Sequence, residues 1–476
     1  MPSSPSPNEP NIRLTGRASR PVTSTWAWFI AVAAAVSGLT GCGGGGSPGA
    51  PAPGLTLSGR VVGLAGTGLV LQNNAGDDLR ISANGSFTFD TPMGSGEAYA
   101  VTVRTPPYAV TQRCGVTHGS GTFGSSSITN VTVTCVTPAT RFALVANRGN
   151  NSLSVYAINT SSGALSAVSG SPFATGAQPT AVVVEPSGRF AYAANFSDNS
   201  VSAYALDDIT GSLTPVSGSP HTTGTASPYM IAADPLGRFI YTANFASNSI
   251  SVFRINPDTG ALSQVSGSPF ALGAMAIDLS PSPDGRHLYV ANYNINAITA
   301  LSIHPTTGAL TALSGSPYAT GNLPSAVLLS PDGRVLFSLN GASDTLGTFV
   351  VNTSTGELSS AGSVATPAAA FAEGFAVSPG GDFVYTADSG AGSVSAYALD
   401  GDSGQLTPLS GSPVATSGGV QPKYMVAEPA GRFVFASNPN SNTVSTYTID
   451  SGTGLLSPTS TVSSGTSPAT IAVVGY

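Results

Sequence analysis

Three charged side chains hold repeat-related positions in a chain that has few charges, and they are the residues best suited to chemistry. Asp, Glu, Lys and Arg make up only 8% of the 476 residues, against a usual share of about 25%. Glu373 and Lys423 each lie six residues before the proline of a repeated turn, and Arg148 follows a repeated asparagine. Together, these side chains could bind an anionic or sugar-like ligand. The alternative is an ion pair that only neutralises a polar rim.

Metal and cofactor chemistry finds no support in the residue pattern. The four histidines of the chain have no second ligand-type residue at the spacing of a metal site. No glycine-rich phosphate loop opens a helix. We therefore predict no metal and no cofactor.

The candidate residues are set in a seven-fold internal repeat. Its units begin 48 to 50 residues apart, and each contains a short apolar segment that ends in Asn or Asp. These segments are Arg141–Asn147, Arg189–Asn195, Arg238–Asn244, Arg286–Asn292, Arg334–Asn340, Asp382–Asp388 and Arg432–Asn438. We interpret the repeated asparagine as a cap that bonds the backbone of the following hairpin turn.

Each repeat contains four short β-strands and no helical pattern. A buried strand leads through a Pro-x-Gly turn, as at Pro186 to Gly188, and proline and glycine suit the second and fourth positions of a type I turn. Units of this length are typical of β-propeller blades. The array begins at a second strand and ends at a first strand, Thr470–Val474, so we predict that this last strand closes the ring. Closure would place the blade of Arg148 beside the blade of Lys423.

Residues 55–137 precede the repeats and have a different β pattern. Apolar runs such as Leu55–Val62 and Ala98–Val103 alternate with turn residues, which is typical of a small β-sandwich. We predict an immunoglobulin-like spacer domain here. The predicted fold is therefore all-β, a seven-bladed β-propeller at residues 141–476 preceded by this small sandwich. Cys114 and Cys135 lie in the spacer and are expected to form a disulfide in an exported protein.

Residues 1–42 have the pattern of an export leader. Three arginines precede the apolar run Trp26–Val36, which is short for a membrane span and fits the apolar part of a signal peptide. The run ends in Leu-Thr-Gly-Cys at 39–42, which resembles the lipobox of bacterial lipoproteins. That resemblance implies lipid attachment at Cys42. An ordinary signal peptide with a chance cysteine is the alternative.

The residues after Cys42 predict how the chain is presented. Residues 43–54 are rich in Gly, Pro and Ser and are expected to form a flexible tether. Gly43, by resemblance to Gram-negative lipoproteins, implies an outer-membrane lipoprotein that faces the periplasm or the cell surface. The expected contact with the membrane is the lipid anchor.

The repeats resemble the lactonase-like seven-bladed propellers. The resemblance rests on Tyr-Val-Ala-Asn at 289–292 and Pro-Asp-Gly-Arg at 283–286, and it covers residues 141–476. This family includes bacterial 6-phosphogluconolactonase, the enzyme that cyclises carboxymuconate, and many surface proteins with YVTN-type repeats. The resemblance implies the fold, whereas one fold hosts many activities.

The enzymes of this family share a His and an Arg before two inner strands, and a Glu and a second Arg after the asparagine. The first position holds no histidine here, its occupants being Thr180, Tyr229, Ile277, Ser325, Glu373, Lys423 and Ala469. The second position holds no glutamate, its occupants being Arg148, Phe196, Phe245, Tyr293, Gly341, Ser389 and Pro439. Arg148 alone is similar to the second Arg of the family.

The sequence therefore predicts a non-catalytic binding module, with a lactone or sugar-derivative hydrolase as the alternative. The net charge of −7 argues against nucleic acid, because phosphate binding needs a basic surface. The expected partner is an unidentified protein or glycan of the cell envelope. Glu373, Lys423 and Arg148 are the candidate ligand-binding residues.

Overall fold

The computed structural model describes residues 54–107, 112–136, 140–224, 227–367, 372–416 and 420–475, and all of their regular secondary structure is β-strand. The predicted leader, Cys42 and the tether up to residue 53 lie outside the described residues. Among the described residues, no helix has the length and apolar character needed to cross a membrane.

Two four-stranded sheets form the part that precedes the repeats, and both contribute to one apolar core. The first sheet contains, in spatial order, Gly85–Thr88, Leu57–Val62, Ile128–Val136 and Arg113–Thr117. The second contains Asp77–Ile81, Leu69–Asn73, Ala98–Thr105 and Ser120–Thr122. Cys114 and Cys135 lie opposite each other on adjacent strands and form a disulfide.

Seven further sheets form the blades of the predicted propeller. The inner strands of blades 1 to 7 are Pro468–Gly475, Pro179–Val184, Pro228–Ala233, Ala276–Pro281, Pro324–Leu329, Gly374–Val377 and Tyr424–Ala427. The second strands are Thr140–Asn147, Phe190–Asn195, Phe239–Asn244, His287–Asn292, Val335–Asn340, Phe383–Asp388 and Phe433–Asn438. The third strands are Ser152–Ile158, Ser200–Leu206, Ser249–Ile255, Ala297–Ile303, Thr345–Val351, Ser393–Leu399 and Thr443–Ile449.

The outer strands take two forms. Blades 5 and 7 have continuous outer strands, Leu358–Ala365 and Leu456–Ser463. In the other five blades a Gly-Ser-Pro segment divides the strand, giving the pairs Leu165–Ala167 and Phe173–Ala174, Leu213–Pro215 and His221–Thr222, Leu262–Gln264 and Phe270–Ala271, Leu310–Ala312 and Tyr318–Ala319, and Leu406–Pro408 and Val414–Ala415. Where the outer strand is divided, the third strand lacks a backbone acceptor for one of its N–H groups. The serine of the segment takes that place, since Ser171 Oγ accepts the Val155 N–H at 2.9 Å.

The Pro-x-Gly turns have the predicted geometry. The Gly188 N–H donates to the Glu185 carbonyl at 2.8 Å, which is the bond between the fourth and first residues of a β-turn. Gly188 has φ of 75°, a conformation that favours glycine. Each turn therefore connects an inner strand to a second strand at the same end of the propeller.

The predicted ring closure is confirmed. Pro468–Gly475 pairs antiparallel with Thr140–Asn147, with Val473 opposite Ala143. Consecutive inner strands contact each other around the ring, and the last contacts the first. The seven blades thus form a closed propeller in which the first and last strands of the repeat array share blade 1.

The repeated asparagine has a different role from the one we predicted. Asn195 is fully buried, and its Nδ2 donates to Ser200 Oγ at 3.0 Å and to Ser202 Oγ at 2.9 Å. The bonds therefore reach hydroxyl side chains of the third strand rather than the turn backbone. The reason is that serine or threonine stands five residues after the asparagine, seven residues after it, or at both positions, on the face that the asparagine meets.

In several blades a buried tyrosine of the second strand packs against the neighbouring blade. Its hydroxyl has a hydrogen-bond partner in some of these blades and lacks one in others, among the described residues. Tyr192 and Tyr289 donate to the carbonyls of Gly260 and Gly356 at 2.9 and 3.0 Å. Tyr385 is fully buried, and its hydroxyl has no hydrogen-bond partner among the described residues.

Replacing these two tyrosines by phenylalanine should therefore change the free energy of unfolding differently. Tyr192→Phe should lower the free energy of unfolding by about 1 kcal/mol, because it leaves a buried carbonyl unbonded. Tyr385→Phe should be neutral or stabilising, because it removes an unsatisfied buried hydroxyl. Urea unfolding of both variants checks this, and equal losses of stability would contradict it.

Candidate functional site

The start of each inner strand places one side chain at the mouth of the central channel. In blades 2 to 5 the residue six positions before the turn proline falls where the inner strand shifts register against the second strand. Such an irregularity leaves one residue unpaired and redirects its side chain. In blades 6 and 7, Glu373 and Lys423 directly precede the inner strands. The position singled out from the sequence is therefore the rim of the mouth.

Glu373 and Lys423 form an ion pair at this rim. The Lys423 Nζ lies 2.6 Å from Glu373 Oε2, and the two side chains are 26% and 38% exposed. The Lys423 ammonium also lies 5.7 Å from the centre of the Tyr424 ring. The two charges therefore compensate each other, and both side chains stay partly exposed.

Arg148, the third predicted site residue, is not part of this ion pair. Its guanidinium carbon lies 5.6 Å from the centre of the Phe196 ring. Its backbone N–H donates to the Ser467 carbonyl at 3.1 Å, which anchors the residue beside the closing strand. The structure thus joins two of the three predicted residues and places the third on an aromatic surface.

That aromatic surface continues around the mouth. The Phe196 and Tyr229 rings are 6.1 Å apart and nearly perpendicular, and the Tyr229 and Phe245 rings are 5.9 Å apart. Tyr229, Phe245, Tyr293 and Glu373 line a cavity of about 390 Å³ whose remaining wall is mostly apolar. We call this cavity the mouth cup. Its aromatic wall was missed from the sequence, although aromatic residues at mouth positions of consecutive repeats were a visible signal.

A pair of tyrosines meets at the base of the cup. The hydroxyls of Tyr229 and Tyr424 lie 3.2 Å apart, and they come from blades 3 and 7, on opposite sides of the ring. Tyr229 lines the mouth cup and Tyr424 lines the channel below it. Burial, with smaller effects from Tyr229, Glu373 and Asp278, raises the pKa of Tyr424 well above its usual value. This hydroxyl therefore stays protonated and available as a hydrogen-bond donor at neutral pH.

Asp278 is a buried carboxyl in the channel below the tyrosines. Its oxygens accept the backbone N–H groups of Leu279 and Val327 at 2.8 and 2.9 Å, which connects blade 4 to blade 5. Burial raises its pKa to about 7, although the two backbone bonds oppose the rise. Thr470 makes a similar contact between blades 1 and 2, through the Val182 N–H at 2.9 Å. Asp278 therefore has a structural role that a neutral side chain can also fill.

The described residues contain no group of three or more His, Cys, Asp or Glu that could hold a metal ion. The chemical groups at the mouth are hydrogen-bond donors and acceptors, an ion pair and aromatic faces. This combination suits recognition of a polar ring with an apolar face.

Comparison with known protein families gives one family match over the repeats. The family described as lactonase, 7-bladed beta-propeller, matches residues 129–220, 171–275, 266–373 and 369–473. No functionally curated protein matches the chain.

Solved structures share the propeller fold. A 6-phosphogluconolactonase candidate from Bacteroides uniformis is 22% identical, with a TM-score of 0.63, over 71% of this chain and 100% of the other. The periplasmic gluconolactonase PpgL of Pseudomonas aeruginosa is 22% identical, with a TM-score of 0.62, over 70% of this chain and 99% of the other. At this identity the likeness concerns the fold alone.

Proposed function

The chain belongs to the lactonase family of seven-bladed β-propellers, and we propose that it is a binding module whose mouth cup holds a sugar-like ring without hydrolysing it. The observation that carries this proposal is the pairing of Glu373 with Lys423 beside an aromatic wall. Aromatic faces stack on the apolar face of a sugar ring, and paired charged groups can bond adjacent hydroxyls.

Hydrolysis of a lactone requires a base near the attacking water and a donor for the developing oxyanion. Glu373 already bonds Lys423, whose Nζ lies 2.6 Å from Glu373 Oε2, so this carboxylate is not free to position an attacking water. Both oxygens of Asp278 are occupied by backbone N–H groups below the tyrosine pair. In the part of the mouth and channel that the structure describes, the carboxylates of Glu373 and Asp278 are thus both engaged by other groups, which favours binding over hydrolysis.

A hydrolase remains the second candidate because of Arg148. It occupies the position similar to the second arginine of the family's enzymes, and its guanidinium is held at the mouth on Phe196. A guanidinium there could stabilise an oxyanion. Lactone turnover that is lost in Arg148→Ala would favour this candidate over the binding module.

We further propose that the module is exported and anchored through Cys42, so that its partner is a glycan or protein of the cell envelope. The leader pattern and the lipobox-like 39–42 segment support this. One structural relative is named a periplasmic protein, which agrees with export. Labelling of cells with radioactive palmitate tests the anchor, and loss of the label in Cys42→Ala is the expected result.

Binding at the cup is tested by calorimetric titration of a chain that begins at residue 55. The probes are methyl β-D-glucopyranoside and D-glucono-1,5-lactone. Glu373→Gln should weaken binding roughly tenfold, about 1.4 kcal/mol, because it removes the ion pair and one charged acceptor. Glu357→Gln, an exposed site on the far side of blade 5, is the matched control. Equal affinities in the two variants would rule out the cup as the site.

A further inference from the structure

A second cavity lies at the other end of the propeller, between the N-terminal sandwich and the turns of blades 4 and 5. Its volume is about 610 Å³, and four arginines line it: Arg80, Arg104, Arg286 and Arg334. The whole chain has only 16 Lys and Arg residues. We call this cavity the turn-side cleft. It is distinct from the mouth cup, because the turns follow the inner strands whereas the mouth residues precede them.

The propeller arginines of the cleft differ from their equivalents in other blades. In blade 3, Arg238 bonds both oxygens of Asp234, at 2.7 and 2.8 Å, and also the Gly285 carbonyl at 2.8 Å. In blade 7, Arg432 bonds Glu428 and the carbonyl of Thr160 on the next blade. These arginines connect neighbouring blades and have little capacity left for a ligand.

Arg286 and Arg334 lack such firm contacts within the described part of the chain. Each lies 3.8 Å from the aspartate of its own turn. Arg334 also approaches Asp402 at 3.4 Å, a residue that is 94% exposed. Their side chains are 51% and 60% exposed, against 23% for Arg238. Two guanidinium groups therefore face the cleft with most of their donors available.

The carboxylates of the cleft are already engaged. Asp284 Oδ1 accepts the Ser282 hydroxyl at 2.7 Å, and Asp332 Oδ1 accepts the Ser330 hydroxyl at 2.5 Å. Asp78, on the sandwich side, pairs with Arg104. These bonds shape the turns and the sandwich wall, so the carboxylates do not fill the space between the arginines.

The residues that line the cleft carry four arginines and three aspartates, one net positive charge, with the exposed Asp402 beside Arg334 at their edge. Arg80 forms no ion pair among the described residues. Burial lowers the pKa of the nearby His287, so it adds no charge at neutral pH. An anion that enters the cleft would meet guanidinium groups on opposite walls.

We propose that the turn-side cleft binds a phosphate group, held between Arg80 of the sandwich and Arg286 and Arg334 of the propeller. Guanidinium groups match the oxygen spacing of phosphate and can bond it in pairs. A phosphate has oxygens in several planes, so arginines from two walls can reach it at once. This site is independent of the mouth cup and of the proposed sugar-like ligand.

Two sources could supply the phosphate, a free small molecule or a phospholipid headgroup. The full chain is titrated with sodium pyrophosphate by calorimetry, and with phosphatidylglycerol vesicles in a sedimentation assay, with phosphatidylcholine vesicles as the blank. Arg80→Gln and Arg286→Gln should each weaken binding at least roughly tenfold. Arg60→Gln, an exposed arginine of the sandwich outside the cleft, is the charge-matched control and should change binding less than about twofold.

Binding of either probe with this pattern of variants supports the site, and the probe that binds identifies the source. Absence of saturable binding to both probes would overturn the proposal. Equal weakening in all three variants would also overturn it, because the effect would then be one of overall charge. Matching melting temperatures of the variants and the parent protein exclude unfolding as the cause.

Discussion

Replacing Val474 by aspartate should lower the free energy of unfolding by about 4 kcal/mol, at the severe end of single substitutions. Val474 is 2% exposed and lies opposite Phe142 in the ladder that closes the ring. Aspartate would place an unpaired charge in the apolar cluster that contains Phe142 and Leu144, and a buried charge without a partner is costly. Urea unfolding followed by circular dichroism measures the loss.

Ile209→Asp is the control for this change, since Ile209 is 78% exposed and should tolerate aspartate within about 0.5 kcal/mol. A Val474→Asp loss no larger than that of the control would mean that the C-terminal strand does not hold the ring closed. Removal of residues 468–476 should go further and produce oligomers, because it leaves the Thr140–Asn147 edge unpaired. Size-exclusion chromatography detects that outcome.

Replacing Asp388 by asparagine should stabilise the protein at pH 7 by about 3 kcal/mol. Asp388 stands where the other blades have asparagine, and it accepts bonds from the hydroxyls of Thr386, Ser393 and Ser395. Burial raises its pKa to about 6, and these bonds only partly oppose the rise. Blade 3 shows that asparagine fits, since Asn244 bonds Thr242, Ser249 and Ser251 in the same arrangement.

The stability gained by Asp388→Asn should increase as the pH rises. The folded-state pKa of Asp388, about 6, lies above the value of about 3.9 expected for an unfolded chain. The folded protein therefore holds the proton more tightly, and stability falls as pH rises between about 4 and 6. Asp388→Asn should accordingly gain little at pH 4 and its full amount at pH 7. The reverse change in blade 3, Asn244→Asp, should destabilise at pH 7 only. A gain independent of pH would contradict the assignment to Asp388.

The propeller was predictable because its signal repeats. Seven copies of one strand-turn-strand pattern predict the blade. The array begins at a second strand and ends at a first strand, and this difference predicts ring closure. The mouth position was predictable for the same reason, since a fixed distance to the turn proline locates Glu373 and Lys423 at the rim.

Features that occur once, or that arise across the ring, were not predictable. The contact of Tyr229 with Tyr424 joins residues 195 positions apart on opposite blades, and no local sequence pattern predicts it. Asp278 shares its short strand Ala276–Pro281 with a second polar residue, Ser280, so the sequence does not distinguish it as a buried carboxyl. In the sandwich, three strands lie outside the apolar runs of the sequence, because charged or small residues interrupt the alternation that predicts a strand: Asp77–Ile81, Arg113–Thr117 and Ser120–Thr122.

One titration tests the central account, that the mouth cup binds a sugar-like ring and does not hydrolyse it. Both tryptophans of the chain lie in the leader, at 26 and 28, so Phe245→Trp in a chain that begins at residue 55 gives a single reporter inside the cup. D-glucono-1,5-lactone is added while tryptophan emission and lactone concentration are followed together. The account predicts a saturable change in emission while lactone disappears only at its spontaneous rate. Accelerated loss of lactone that Arg148→Ala abolishes, or an emission that never changes, would contradict it.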